Sequence, residues 1–498
     1  MINFGFWNLL VVTVVALVLK NNWRLDDEKA AWKNSLFLKS PAIQRLMQFL
    51  HQPIVSFIVQ ASVVLIVTRI LCYTGWLVYL LNQPDPPLWD FKWFYVASRL
   101  AHQHLSPFNA EIFNQSFCSL TKACNLIPPF VYPPNIIPLI WFLGYFSSST
   151  AFTIWIGMHI LAIGLALWGA NILLESKSRA LRTICTISVV SIYGLVNDLQ
   201  VGNIAIFVAV LILWMFIWAK KNQDIPAGIC LGIAVCKPTL AALFILYFLL
   251  KRRFSLVFVS VVTGISLVFL GLALTGNSLT QFLPDVSRGF SLWIKDPSNS
   301  PYLSISRIDL MVVGPRLFPN NPFFAKLFSD LIVLILVGLA GWYWYLQQSL
   351  TAWAKEIYLT EMVLVSCLSI AINYSQQTSS VMLIPVVVFL LNDLLHQIRH
   401  CTFSRKRMSV WLAGVCCLGV QTAVIHGWVI GSLAKRWNVK AGELPYIMKV
   451  TIFALPSYAI LGITVSILIL AISSLRQKQV VKFEPLNRIS TSYIKSHR

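Results

Sequence analysis

Apolar runs close to twenty residues long recur along this chain, at about 2–19, 54–81, 149–174, 180–197, 203–219, 254–275, 331–347, 357–373, 379–395, 408–433 and 451–474. Each is roughly the length a helix needs to cross a hydrocarbon core of ~30 Å. The runs lack strand-period alternation and are too long for barrel strands, so helices are the spanning structure that satisfies the backbone in lipid. Two interruptions refine the pattern. Pro133-Pro134-Asn135 opens an apolar run that ends near Gly144, too short to cross, which predicts an interfacial or re-entrant helix. In 226–250, Lys237-Pro238 splits an otherwise apolar stretch with basic clusters at both ends, which predicts a broken-helix hairpin carrying Lys237 toward the bundle interior. The expected fold is an all-α integral membrane protein, a multi-pass bundle of about 11–13 transmembrane helices with interfacial helices in the first external loop.

Composition agrees. In 498 residues, 57% are hydrophobic and 11% charged, and the mean hydropathy is +0.72, which excludes a soluble globular chain. A net charge of +21 would suit a nucleic-acid partner, but the basic residues sit in short loops beside spans, where they set orientation, and no nucleic acid is expected. Lys20, Arg24, Lys29, Lys33, Lys39 and Arg45 place 20–50 in the cytoplasm, which puts the loop after the second span outside. Lys177, Arg179 and Arg182, then Lys220 and Lys221, then Arg405, Lys406 and Arg407, and finally the basic tail all fall inside on the same count. Residues 1–19 lack a basic leader and a small-residue cleavage pattern, and read as an uncleaved span. The organisation is an extra N-terminal span and basic segment over 1–53, a transmembrane core over 54–395 with external loops 82–148 and 276–330, C-terminal spans over 396–474, and a basic tail over 475–498. The ten cysteines form no C-x-x-C pair, so no metal is expected; Cys118 and Cys124 share the external loop and can pair in an oxidising compartment.

Against this apolar background a few polar residues stand out. Asp90 follows a long apolar run and Pro84, Pro86 and Pro87, and a carboxylate beside hydrocarbon is costly enough to suggest function. The alternative is a helix cap for Phe91 to His102, with Phe91, Phe94 and Tyr95 forming an interfacial face. Lys237 is costly in the same way, unless it snorkels from a helix end. His159, Glu361 and His426 read as interhelical hydrogen-bond partners, with Glu361 near enough to a helix start to reach water.

Four elements together resemble glycosyltransferase family 87, the polyprenol-phosphate-sugar-dependent membrane enzymes of GT-C fold. They are Asp90-Phe-x-x-Phe94-Tyr95-x-Ala97, Tyr132-Pro133-Pro134, Gly202-Asn203, and Ala227-Gly228-x-x-Leu231-Gly232-x-Ala234-x-x-Lys237-Pro238. The resemblance covers roughly 54–395 and implies a GT-C-like core that moves a hexose, with mannose the usual suggestion, from a polyprenyl-phosphate donor to a lipid or glycan hydroxyl. That chemistry would proceed at the external leaflet of the cell membrane, without a cofactor. It needs a base for the acceptor proton, for which Asp90 is the candidate, and cations for the phosphate, drawn from Lys237, Arg288, Lys295 and Arg307. Arg307 is equally readable as a solvated loop residue. Tyr132, Asn135, Gln200 and Asn203 could hydrogen-bond sugar hydroxyls, although Tyr132 also suits an aromatic belt. Two departures matter. The chain has Gly202-Asn203-Ile204-Ala205 where the family would have Gly-Gln-x-Asn, and Gln376-Gln377 where family members often carry histidines. Glutamine cannot shuttle a proton. A transporter or flippase of a lipid-linked saccharide is the alternative from another class, and predicts internal symmetry that the sequence does not display. A membrane scaffold would leave the polar loops without purpose.

Overall fold

The computed structural model describes residues 88–121, 130–174, 186, 193–296, 299–302, 304, 306–350, 359–400, 414 and 455–473. The apolar runs at 2–19 and 54–81, most of 180–197 and of 408–433, His426, Cys124 and the basic tail lie outside the described residues. The described chain is helical, with one isolated antiparallel bridge between Arg307 and Gln376. In chain order the helices are α1 (Trp89–His102), α2 (Ala110–Thr121), a short helical run α3 (Pro134–Tyr145), α4 (Ser148–Leu173), α5 (Tyr193–Val201), α6 (Ala205–Lys220), α7 (Asp224–Ala234), α8 (Pro238–Leu250) and α9 (Phe254–Leu274). They continue as α10 (Leu279–Lys295), α11 (Val313–Leu317), α12 (Pro322–Leu350), α13 (Leu359–Ile372), a 3-10 segment Gln377–Leu383, α14 (Ile384–His400) and α15 (Leu455–Ser473).

Among the described residues α4, α9, α12 and α15 are long and apolar enough to cross a membrane. The chain is an all-α membrane protein. Helix α3 is only twelve residues, ~18 Å at 1.5 Å per residue, and its ends are 3-10 turns, so it falls short of a hydrocarbon core of ~30 Å. The hairpin is also present: α7 ends at Ala234 and α8 begins at Pro238, whose ring supplies the fixed φ a helix start accepts and lacks the N–H a continuous helix would need.

Helices that are apolar all round are found inside. α6 and α13 bury most of their length, as expected of a helix without a polar face. α9 instead buries a narrow stripe, Leu256, Ser260, Gly264, Gly271 and Leu272, and leaves Phe258, Ile265 and Phe269 uncovered, the pattern of a lipid-facing span. α7 packs on α9 through two glycines four residues apart: a Cβ at Gly228 would lie 2.7 Å from the Leu256 carbonyl oxygen, and one at Gly232 would lie 2.6 Å from that of Ser260. Small residues at this spacing let two backbones touch where apolar burial alone gives helices no reason to associate. The glycines of the Ala227–Pro238 element therefore serve packing, and the packing fixes the helix from whose end Lys237 projects.

At the far ends of α8 and α13 from Lys237 and Tyr374 lies a second polar cluster. Lys251 pairs with Glu361 at 2.7 Å, Tyr247 Oη donates to Glu361 Oε2 at 2.7 Å, and Lys251 Nζ donates to Gln347 Oε1 at 3.0 Å. Glu361 is fully buried, which corrects the expectation that it reaches water. A cation at the C-terminal cap of α8, Lys251, supplies what the solvent would have supplied.

Candidate active site

Six segments distant in sequence meet around one cavity of about 420 Å³. Trp89, Asp90 and Trp93 come from the start of α1, Tyr132 from the lead into α3, Asn203 from the turn between α5 and α6, and Lys237 from the α7/α8 break. The far wall carries Phe290 and Trp293 from α10 and Asn299 from the segment after it, with Tyr374 and Gln376 from the lead into the 3-10 segment.

Asn203 is the hub. Its Nδ2 donates to Asp90 Oδ2 at 2.6 Å and to Tyr132 Oη at 3.3 Å, while its Oδ1 accepts from Lys237 Nζ at 2.8 Å and from the Ala205 N–H at 3.0 Å. A carboxylate on one side and an ammonium on the other fix which way the amide points, because only one flip gives the carboxylate a donor and the ammonium an acceptor. Gly202 makes the approach possible. It adopts a left-handed backbone, φ +72°, and a Cβ there would stand 2.9 Å from the Phe91 Cβ, so a side chain would push the Asn203 turn off the start of α1. The turn is then held from behind: Trp155 Nε1 donates to the Gly202 carbonyl at 3.0 Å, and His159 Nε2 lies 2.8 Å from the Asn203 carbonyl oxygen. Asp198, fully buried on α5, accepts from the Ile206 N–H at 2.8 Å and so caps α6 beside Asn203, leaving its Oδ1 without a hydrogen-bond partner.

Asp90 does not cap its own helix. It sits in the first turn of α1, whose capping position is Leu88 and carries no side-chain cap bond, and its carboxylate turns instead to Asn203. Phe91, Phe94 and Tyr95 are likewise buried, packed against Phe152, Trp155 and Tyr132, and form no interfacial face. Burial raises the Asp90 carboxyl above the usual carboxylate range, opposed by the Asn203 hydrogen bond and the Lys237 charge, which both lower it. Burial also pushes the Tyr132 phenol well above its ordinary value, and the neighbouring Asp90 charge adds to this, so Tyr132 stays protonated as a hydroxyl donor.

Of the residues singled out in the sequence, Asp90, Tyr132, Asn203, Lys237 and Gln376 line the cavity. Asn135, Gln200, Arg307 and Gln377 do not. Asn135 is buried in α3, Gln200 is half-buried on α5, and Gln377 donates its backbone N–H to the Ser306 carbonyl oxygen at 3.0 Å. Arg307 is buried and donates to both oxygens of Asp309, at 3.0 and 2.7 Å, with its guanidinium 4.8 Å above the Tyr374 ring. It is no solvated loop residue: Asp309 takes its charge, and Arg307 braces the cavity wall from behind. That wall is a chain of hydrogen bonds. Gln376 Nε2 donates to Tyr374 Oη at 2.5 Å, and Tyr374 Oη donates to Asn299 Oδ1 at 2.6 Å.

Sequence reading passed over Asp198, Tyr374, Trp293 and Asn299. Asp198 was open to discovery, since it is an acid between two apolar runs and carries the same cost that drew attention to Asp90. Tyr374 stands in the stretch that was read only for its missing histidines. Trp293, near the end of α10, and Asn299, just after it, carry no local mark of a site.

Among the described residues no group of histidine, cysteine or carboxylate side chains is arranged to hold a metal ion. Cys118 is disulfide-bonded, while Cys230, Cys236 and Cys367 are free thiols.

No curated protein and no solved structure matches the chain significantly. The model of glycosyltransferase family 87 matches residues 130–367, a stretch that holds Tyr132, Asn203 and Lys237 and stops short of Asp90 on one side and Gln376 on the other. That match covers just under half of the chain and, with the all-helical membrane scaffold, supports membership of glycosyltransferase family 87 and with it a membrane glycosyltransferase in general.

Proposed function

We propose that the protein transfers a hexose, mannose being the first to test, from a polyprenyl-phosphate donor to a hydroxyl of a lipid or glycan acceptor, at the external leaflet of the cell membrane. The observation that carries this reading is the Asn203 amide, which joins a half-buried carboxylate and a half-buried cation inside one cavity. In the reaction the acceptor oxygen forms a bond to the sugar C1 as the bond from C1 to the phosphate oxygen breaks. The acceptor proton passes to Asp90, and the bonding pair leaves with the polyprenyl phosphate. A carboxylate whose affinity for protons is raised by burial is a stronger base than a free one, yet Asn203 and Lys237 keep the charged form accessible.

Lys237 is the cation best situated for the departing phosphate, because it lines the cavity and hydrogen-bonds the neutral Asn203 amide, with Asp198 and Asp90 as charged neighbours, whereas Arg307 lies outside the lining and is ion-paired to Asp309. Tyr132 Oη, Gln376 and Asn299 are the donors and acceptors for sugar hydroxyls, and Trp89, Trp93 and Trp293 offer flat apolar faces around them. With glutamine at 376, Asp90 is the one proton acceptor this reading uses. The Cys118 disulfide supports an oxidising, extracytoplasmic side for α2 and hence for the neighbouring start of α1, against which Phe117 packs at Trp89.

Purified protein incubated with radiolabelled polyprenyl-phosphate sugars and a membrane lipid extract should yield a labelled product, and Asp90→Asn should lower its rate of formation by about 10²–10⁴-fold. Undiminished product from Asp90→Asn would remove Asp90 from the mechanism. No product from any donor would favour transport of a lipid-linked saccharide instead.

A further inference from the structure

Helix α10 has a face that the protein does not cover. At about 100° per residue, Phe282, Val286, Gly289 and Trp293 share one side and pack inward, Phe282 against Phe108 at 4.9 Å and Trp293 against Tyr374 at 4.4 Å. The adjoining side carries Leu279, Leu283, Phe290 and Ile294, between 46 and 61% exposed. The remaining arc is mainly polar, with Thr280, Gln281, Ser287, Arg288, Ser291 and Lys295, and Leu292 is its exposed large apolar residue. The helix is therefore apolar over roughly twice the width it buries, which is the composition of a helix lying in a membrane surface.

Its place in the chain says what covers it. α9 is a membrane span, and only residues 275–278 separate its last residue, Leu274, from Leu279. A four-residue link spans at most ~14 Å, so α10 begins at the bilayer boundary, and its charged arc bars it from crossing. The uncovered flank of α9, with Phe258, Ile265 and Phe269, is lipid-facing and leads directly to this stripe. Phe290 belongs to both surfaces, being 51% exposed and part of the cavity lining.

We propose that α10 lies in the membrane interface with Leu279, Leu283, Phe290 and Ile294 in the acyl region of the lipids, so that the cavity it covers opens toward the bilayer beside Phe290. Where the donor or acceptor is a lipid, as the proposed function has it, that opening lets the substrate reach Asp90 by lateral diffusion without leaving the membrane. The placement of α10 itself does not depend on which reaction Asp90 serves.

The full chain in liposomes of phosphatidylcholine and phosphatidylglycerol, carrying a benzophenone amino acid at Leu283 or Ile294, should give phospholipid adducts on illumination, several-fold more than with the label at Ser287 or Ser291. Equal labelling on the two arcs, or adducts from 283 and 294 to protein alone, would overturn the proposal. The unsubstituted protein gives an independent reading: in nanodiscs, hydroxyl radicals should spare Leu283 and Phe290, and oxidation of both would place α10 off the bilayer. Because neither measurement uses turnover, a failure here is distinct from a failure to find transfer activity.

Discussion

Asp90 shows how a side chain's role depends on what faces it. An acid in the first turn of a helix is favoured there by the backbone dipole, and no feature of α1 alone makes it more than that. Asn203, 113 residues away, turns it into one end of a hydrogen-bonded pair with Lys237. Asp90→Asn keeps the shape of the side chain and removes the base, so kcat should fall by about 10²–10⁴, measured with a saturating donor in detergent. Since burial raises Asp90, the acid limb of the pH–rate profile should lie above the ~3.9 of a free aspartate. The charge of Lys237 lowers Asp90, so Lys237→Met should move that limb to still higher pH while weakening donor binding. A limb that stays in place would separate Lys237 from Asp90. Gly202→Ala should cost at least about 1–2 kcal/mol for the left-handed backbone, more for the crowding at Phe91, and a thermal melt would register it.

Elements carry the residues to the site by packing rules that the sequence partly displays. The split at Lys237-Pro238 was legible because proline marks a helix start and lysine an interruption of an apolar run. The shortness of α3 was legible from its length. The reason for Gly228 and Gly232 was not, because the backbone they admit belongs to α9 and appears only once the helices are paired. Gly232→Leu should therefore destabilise by about 1–3 kcal/mol through overpacking, with a lower melting temperature and impaired donor use, since Lys237 lies just beyond the end of the displaced helix. A variant with unchanged melting and turnover would mean that α7 can part from α9 at no cost. The interfacial face considered as an alternative for α1 is absent for a related reason: Phe91, Phe94 and Tyr95 share an arc that suits a membrane surface or a core equally well, and α4 supplies the core.

At the scale of the whole molecule, α8 and α13 run between two polar clusters, one at the cavity and one at Lys251 and Glu361. Removing one partner of the buried pair leaves a stranded charge, so Lys251→Met should cost about 3–5 kcal/mol. Lys251→Met combined with Glu361→Leu should recover most of that loss in thermal unfolding. If the double variant is as unstable as the single one, packing around Tyr247 and Gln347 rather than the ion pair holds these ends together. The sequence by itself determined the class of this protein, because the length and apolarity of its runs leave a backbone in lipid no choice but helices. It also marked Asp90 and Lys237, because an ionised group among apolar residues carries a cost that composition alone displays. Only the tertiary structure decided that these two share an amide, that Arg307 is matched by Asp309 behind the wall, and that Tyr374, Trp293 and Asn299 complete the cavity. Those are contacts between helices distant along the chain, and their geometry follows from how the helices pack, which no local pattern encodes.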